Sequence, residues 1–157
     1  MAADEVNQPP PTMRAWTHSR AGIPSTVLHL SVDSPTPALT SPTDVLVRIT
    51  HASLSPGGSI MMQLCPFMFR AKPAIPEVDF SGTLVAVGVE VPQVRGLAPG
   101  DSVFGSVPVG LHLSVGGRVC CAAGLVCSAQ SNHMSLEQAA GLAVSGCAAS
   151  SWLRGLD

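Results

Sequence analysis

Cysteine and histidine are the side chains best suited to metal binding and nucleophilic chemistry, and in this sequence they are scattered. There are five of each: Cys65, Cys120, Cys121, Cys127, Cys147, His18, His29, His51, His112 and His133. No two cysteines have Cys-x-x-Cys spacing and no histidine stands at zinc-finger spacing, so the pattern predicts no metal site. For Cys120, Cys121 and Cys127, buried structural thiols are the favoured interpretation. An odd cysteine count without a secretory leader is typical of a cytoplasmic protein, which is the predicted location.

Phosphate-binding loops are a second kind of chemical motif, and none is found. The 15 glycines of the chain nowhere form Gly-x-Gly-x-x-Gly or a P-loop. The sequence therefore predicts that a Rossmann domain is absent and that this chain alone binds no dinucleotide.

Composition narrows the class of protein further. The chain has 157 residues, of which 46% are hydrophobic and 11% charged, against about 25% charged in a typical domain. These values predict one globular domain rather than a disordered chain. The net charge of −2 disfavours nucleic acid as a partner. No apolar stretch reaches the ~18 residues of a membrane span, so no membrane association is expected.

The elements that must position any site are mostly strands. Strand patterns are found at residues 13–18, 27–33, 44–52, 80–91 and 102–104, and a short helix pattern at 59–64. Proline-rich residues 34–43 predict a loop, and Gly82 and Gly88 inside the fourth pattern indicate bulges or bends. Several short strands separated by turn signals suggest a sandwich or a partly open barrel.

The two ends of the chain differ from this pattern. Residues 1–12 have neither the basic nor the apolar region of a signal peptide, and we interpret them as a disordered tail. Ser135 and Gln138 form a capping box ahead of apolar residues at helical spacing, which predicts a helix in residues 135–157. Alone, this helix would expose an apolar face, which favours homo- or hetero-association through it.

Three ordered motifs resemble a known family. They are DVLVRITHASLSP at 44–56, IPEVDFSGTLVAVG at 75–88 and LAPGDSVFG at 97–105. Together they closely resemble the N-terminal, GroES-like domain of the medium-chain dehydrogenase/reductase superfamily, in its zinc-independent quinone oxidoreductase and enoyl reductase branch. The resemblance covers residues 13–149 and ends in the helix that leads to the cofactor domain of such enzymes.

The resemblance implies a mainly β fold, a GroES-like partly open β-barrel with short helices and a C-terminal helix. Residues 13–134 would form this domain, and 135–157 a truncated linking helix towards a missing cofactor domain. Full-length enzymes of this kind use NADPH, which transfers hydride to the substrate while the protein orients the cofactor. Their small-molecule substrates are quinones, enones or enoyl thioesters. This chain alone would carry no cofactor.

Departures from the family pattern define the candidate site. The cysteine and histidine that bind catalytic zinc in zinc-dependent relatives have no counterpart here, so the resemblance implies no zinc. Relatives carry Asn-Pro-x-Asp where this chain has Ser-Pro-Gly-Gly at 55–58, with the Asn near nicotinamide or substrate. Ser55, Pro56 and Asp79 are therefore candidates for a substrate or cofactor cleft, with no catalytic residue assigned. The alternative interpretations are a turn residue for Ser55 and, for Asp79, a carboxylate that binds local backbone donors.

Three hypotheses about function stay open. The first is the GroES-like half of an NADPH-dependent reductase, inactive without its cofactor domain. The second is a non-enzymatic interaction or dimerisation module, which the apolar terminal helix favours. The third is a truncated gene product, which the divergent residues 114–131 favour.

Overall fold

The computed structural model describes residues 9–64, 73–107, 119–122, 126–129 and 133–154. The strands in this part are β1 Thr12–Thr17, β2 His29–Pro35, β3 Val45–Ala52, β4 Asp79–Val87, β5 Ser102–Ser106, β6 Val119–Ala122 and β7 Val126–Ala129. The helices are α1 Pro24–Val27, α2 Pro56–Leu64, α3 Leu136–Ala139 and α4 Leu142–Arg154, with a 3-10 helix at Gln93–Arg95. The predicted fold class, mainly β with short helices and a C-terminal helix, is confirmed.

The strands form two sheets. One is antiparallel with five strands in the order β6-β3-β4-β5-β7, and the other is the antiparallel pair β1-β2. The described strands do not close into a barrel, in keeping with the partly open arrangement expected from the sequence.

The core lies on both faces of the central strands β3 and β4. On one face Val45 and Val47 pack in a cluster of buried side chains completed by Phe80, Leu84, Val103 and Val107. On the other face Leu46 packs with Met13, Ala15 and Val85, so that β1 covers this side of the sheet. At Val45, Leu46 and Val47 successive side chains enter the two clusters in turn, so both faces of this half of β3 are apolar because both are covered.

A glycine permits the close approach of β3 and β4. The pairing shifts register between Ile49 and His51, opposite Gly82 and Ser81. An added Cβ at Gly82 would collide with the backbone carbonyl of Arg48. The predicted irregularity is therefore found at Gly82, and it lies next to the edge of the sheet that carries the candidate site.

Two local predictions need correction. The predicted loop at 34–43 begins later, because β2 continues to Pro35, which lies opposite Thr12 at the end of the two-stranded sheet. A strand end tolerates proline because no ladder hydrogen bond is lost there. The predicted terminal helix is divided into α3 and α4, with a break at Ala140 and Gly141.

Some predictions lie wholly or partly outside the described residues. They include residues 1–8 of the tail and most of the divergent segment 114–131, in which β6 and β7 are described. The division of the chain at residues 12 and 134 stays a prediction. In the described part of the chain, no helix combines the length and the apolar character that a membrane crossing needs.

Candidate functional site

Candidate residues from two motifs lie at one edge of the five-stranded sheet, where β3 ends and β4 begins. In the antiparallel pairing, the last residue of β3 lies opposite the second residue of β4. The Ser53 amide donates to the backbone oxygen of Asp79 at 3.1 Å, which extends the pairing beyond β3. This edge, residues 53–58 and 77–81, is called the candidate cleft below.

Ser55 and Pro56 form the start of α2. Pro56 is the first helical residue, where a missing N–H costs nothing because helix N-termini leave their first amides unpaired. Ser55 lies in the N-cap position, and its hydroxyl oxygen accepts a hydrogen bond from the Gly58 amide at 3.0 Å. The structure therefore gives Ser55 a helix-capping role and leaves it exposed at the surface.

Glu77 is a member of the candidate cleft that sequence reasoning missed. Its side chain is buried, with 6% of its surface exposed. Oε2 of its carboxylate accepts two hydrogen bonds from Ser55, one from the amide and one from the hydroxyl, both at 3.1 Å. Its φ of 68° is the only positive value among the described non-glycine residues. The sequence does show an acidic residue next to Pro76 within an apolar motif. It does not show the partner of Glu77, because Ser55 lies 22 residues away.

Asp79 is also buried, with 8% of its surface exposed, and it holds a different helix. Its Oδ2 accepts a hydrogen bond from the amide of Val144 in the first turn of α4 at 3.2 Å. Its Oδ1 is buried and has no hydrogen-bond partner among the residues that the structure describes. The alternative interpretation of Asp79 was a carboxylate that binds local backbone donors. Asp79 does accept from a backbone donor, but that donor, the Val144 amide, lies 65 residues away.

Helices α3 and α4 are attached to β4 at neighbouring positions. The hydroxyl of the fully buried Ser81 donates to the backbone oxygen of Leu136 at 2.5 Å. Gly141, between the two helices, lies close to Ser53, since an added Cβ would stand 3.2 Å from the Ser53 hydroxyl oxygen. The first strand residues of β4 therefore determine where both helices lie.

The chemistry that this arrangement supports is positioning rather than nucleophilic attack. The Ser55 hydroxyl donates to the Glu77 carboxylate and accepts from the Gly58 amide, so both of its hydrogen bonds hold the start of α2. Nowhere in the described ranges do three or more His, Cys, Asp or Glu side chains come together in a way that could hold a metal ion. The sequence contains no glycine-rich phosphate loop of the dinucleotide-binding kind.

Comparisons with known proteins identify the class of fold. No protein-family model matches the sequence. A quinone oxidoreductase of Coxiella burnetii has 28% identity and a TM-score of 0.76, covering 91% of this chain and 44% of the other. A mycobacterial protein solved with NADPH shares the fold, with a TM-score of 0.73 and 20% identity over 92% of this chain and 42% of that one.

Two sequence relatives agree with this class. A trans-enoyl reductase of Penicillium oxalicum is 29% identical over 106 residues, which are 60% of this chain and 28% of the relative. A zinc-type alcohol dehydrogenase-like protein of Schizosaccharomyces pombe is 37% identical over 87 residues, which are 52% of this chain and 25% of the relative. The matched part is thus about a quarter of each of these relatives.

The relatives and structural neighbours are quinone oxidoreductases, enoyl reductases and zinc-type alcohol dehydrogenase-like proteins of the medium-chain dehydrogenase/reductase superfamily. The fold resembles the GroES-like domain of these enzymes. The resemblance predicted from the three sequence motifs is therefore confirmed.

Proposed function

We propose that this chain supplies the GroES-like, substrate-side part of a zinc-independent, NADPH-dependent reductase of quinones, enones or enoyl compounds. The observation that carries the proposal is that the segments of Ser55 and Asp79, from two separate motifs, lie side by side at one edge of the sheet, joined by the bond from the Ser53 amide to the Asp79 backbone oxygen. This edge lies in a fold that matches a quinone oxidoreductase over 91% of the chain.

Zinc independence rests on the donor set. Oxygen atoms from Ser55, Glu77 and Asp79 belong to the candidate cleft, and all three side chains already accept hydrogen bonds from backbone amides. Zinc sites use cysteine, histidine and carboxylate side chains that converge on one point. The carboxylates here diverge towards two different helices instead.

The 157 residues are proposed to orient a substrate but not to turn it over by themselves. NADPH supplies hydride when it is bound, and the missing phosphate loop leaves its binding to residues outside this chain. Purified chain mixed with NADPH and a quinone is expected to show no NADPH oxidation. Micromolar binding of NADPH by the chain alone would contradict this part of the proposal.

Substrate binding is tested without NADPH. Duroquinone is a suitable probe because its ring carbons are fully substituted, so it does not readily add to the exposed Cys147 thiol. Titration of isotope-labelled chain is expected to shift the amide signals of residues 53–58 and 77–81. Shifts confined to other regions, or none at millimolar probe, would count against the proposed cleft.

A second candidate function, an interaction module, is favoured by the exposure of α4. Only Ala143 of its residues 142–151 is buried, and Val144 is 49% exposed. Size-exclusion chromatography of the chain, alone and with a full-length relative, tests this function. A new, larger species would support it, and two unchanged monomer peaks would exclude it.

A further inference from the structure

Helix α2 begins with the hydrogen-bond pattern of a capping box, but one of the partners comes from elsewhere in the chain. In a capping box the N-cap hydroxyl accepts from the N3 amide, and the N3 side chain accepts from the N-cap amide. Here Gly58 is at N3 and has no side chain. We propose that Glu77 completes the box in place of residue 58 and is the positioning residue for Ser55.

The same chain contains an ordinary capping box for comparison. At α3 the Ser135 amide donates to Gln138 Oε1 at 3.0 Å, and the Gln138 amide donates to the Ser135 hydroxyl oxygen at 3.2 Å. At α2 the corresponding distances are 3.1 Å, from the Ser55 amide to Glu77, and 3.0 Å, from the Gly58 amide to Ser55. The two amide bonds correspond, but the acceptor for the N-cap amide is local at α3 and distant at α2, where the Ser55 hydroxyl also donates to Glu77.

The space beside Gly58 explains why the oxygen can come from Glu77. An ideal Cβ added at residue 58 would overlap the carboxylate of Glu77, with Cδ 2.6 Å and Oε2 2.7 Å away. Real Cβ atoms do not approach other atoms this closely. The Glu77 carboxylate therefore occupies the position that a side chain at residue 58 would take, so the two features belong to one arrangement.

The backbone of Glu77 also indicates that its position is required. A φ of 68° lies in the left-handed region, which a residue with a Cβ adopts at a cost in free energy. Such conformations persist where surrounding contacts hold them, and they occur often at functional sites. The two hydrogen bonds to Ser55 and the burial of the side chain are such contacts.

The arrangement has a consequence for any ligand, which rests on the proposed function. The Ser55 hydroxyl has one hydrogen, and that hydrogen is donated to Glu77. One of its two lone pairs accepts from Gly58. Ser55 can therefore meet a ligand in the candidate cleft only as a hydrogen-bond acceptor, and the ligand group beside it is a donor.

Hydrogen exchange of individual amides tests the proposal on the full chain. Glu77→Ala removes the charged acceptor of the Ser55 amide and is expected to accelerate its exchange by about tenfold. A smaller acceleration is expected at the Gly58 amide, whose acceptor is the Ser55 hydroxyl that Glu77 holds. Glu77→Gln keeps an oxygen acceptor and is expected to preserve both amides. Glu90→Ala removes an exposed acid and serves as the matched control. Unchanged exchange in Glu77→Ala would overturn the proposal.

A double variant keeps the test decisive if Glu77→Ala does not fold. Glu77→Gly combined with Gly58→Asp relieves the left-handed backbone and moves the carboxylate to N3, where it forms a local capping box. Exchange at the Ser55 amide is expected to return to within about twofold of the parent chain. A double variant no better protected than Glu77→Gly alone would show that the carboxylate is not what protects this amide.

These measurements use neither NADPH nor a quinone, so their failure would leave the proposed function untouched. If the Glu77 variants change hydrogen exchange as expected but duroquinone shifts no amide signals in the candidate cleft, only the proposed function is contradicted. The acceptor role of Ser55 is tested by comparing hydroquinone, which has O–H donors, with its dimethyl ether. Shifts at Ser55 and Gly58 are expected with hydroquinone only, and equal shifts with both probes would contradict an acceptor role.

Discussion

Helices α2 and α3 begin with equivalent hydrogen bonds, but they depend on different parts of the chain. At α3 both partners, Ser135 and Gln138, lie three residues apart. At α2 the Ser55 amide depends on Glu77, which stands just before β4 and 22 residues away. The start of α4 resembles α2 in this respect, because its Val144 amide is held by Asp79. A helix held in this way forms its cap only when the sheet has formed, whereas α3 carries its cap with it.

The largest expected effect comes from placing a methyl group in the capping box of α2. This box, formed by Ser55, Gly58 and the distant Glu77, is called the long-range box. Gly58→Ala puts a Cβ into the space of the Glu77 carboxylate and is expected to reduce the free energy of unfolding by about 2 kcal/mol. Gly57→Ala is the matched control, since its Cβ would meet only the Ser55 hydroxyl oxygen at an ordinary 3.6 Å. The control is expected to stabilise by up to about 1 kcal/mol through helix propensity. Urea unfolding with equal midpoints for both variants would contradict the proposed box.

A smaller effect is expected at the start of α4. Asp79→Ala removes the acceptor of the Val144 amide and is expected to cost about 1.5 kcal/mol, with faster hydrogen exchange in α4 than in α3. Asp79→Asn retains an oxygen acceptor and should keep most of this protection. Loss of protection in α3 rather than α4 would show that Asp79 does not hold α4.

The capping box of Ser135 and Gln138, called the local box, stabilises α3 through residues of that helix alone, and a smaller effect is expected from removing it. Ser135→Ala removes the acceptor for the Gln138 amide and is expected to cost about 1 kcal/mol. Ser145→Ala, on the exposed surface of α4, is the control and should be neutral or slightly stabilising. Thermal unfolding compares the two variants, and an equal loss in both would argue against the cap.

The smallest effect is expected from the other half of the local box. Gln138→Ala leaves the Ser135 amide to water and is expected to cost about 0.5 kcal/mol, because this site is exposed. Gln138→Glu keeps an acceptor and adds a charge that favours a helix N-terminus. If Gln138→Ala lowered the free energy of unfolding by more than Glu77→Ala does, the local box would contribute more than the long-range box, contrary to expectation.

The number of residues that separate two partners along the sequence also explains which features the sequence could predict. The box at Ser135 follows from a spacing of three residues, and the alternation of Val45, Leu46 and Val47 follows from the period of a strand. These regular patterns predicted the helix start and the central strand correctly. The three motifs also led to the superfamily resemblance.

The candidate cleft depends on contacts that no local pattern contains. Ser55 and Asp79 were nominated by a resemblance, but their partners could not be, because they lie 22 and 65 residues away. Glu77 was missed for the same reason. Only the pairing of β3 with β4 brings it to the start of α2, and that pairing is a property of the folded chain.

The attachment of α3 and α4 to one strand links the positions of the two helices. Asp79 and Ser81 are two residues apart on β4, so their side chains lie on the same face of the sheet. One holds the start of α4 and the other the start of α3. Each contact fixes where one helix starts against the sheet. A displacement of the first residues of β4 would therefore move the starts of both helices together.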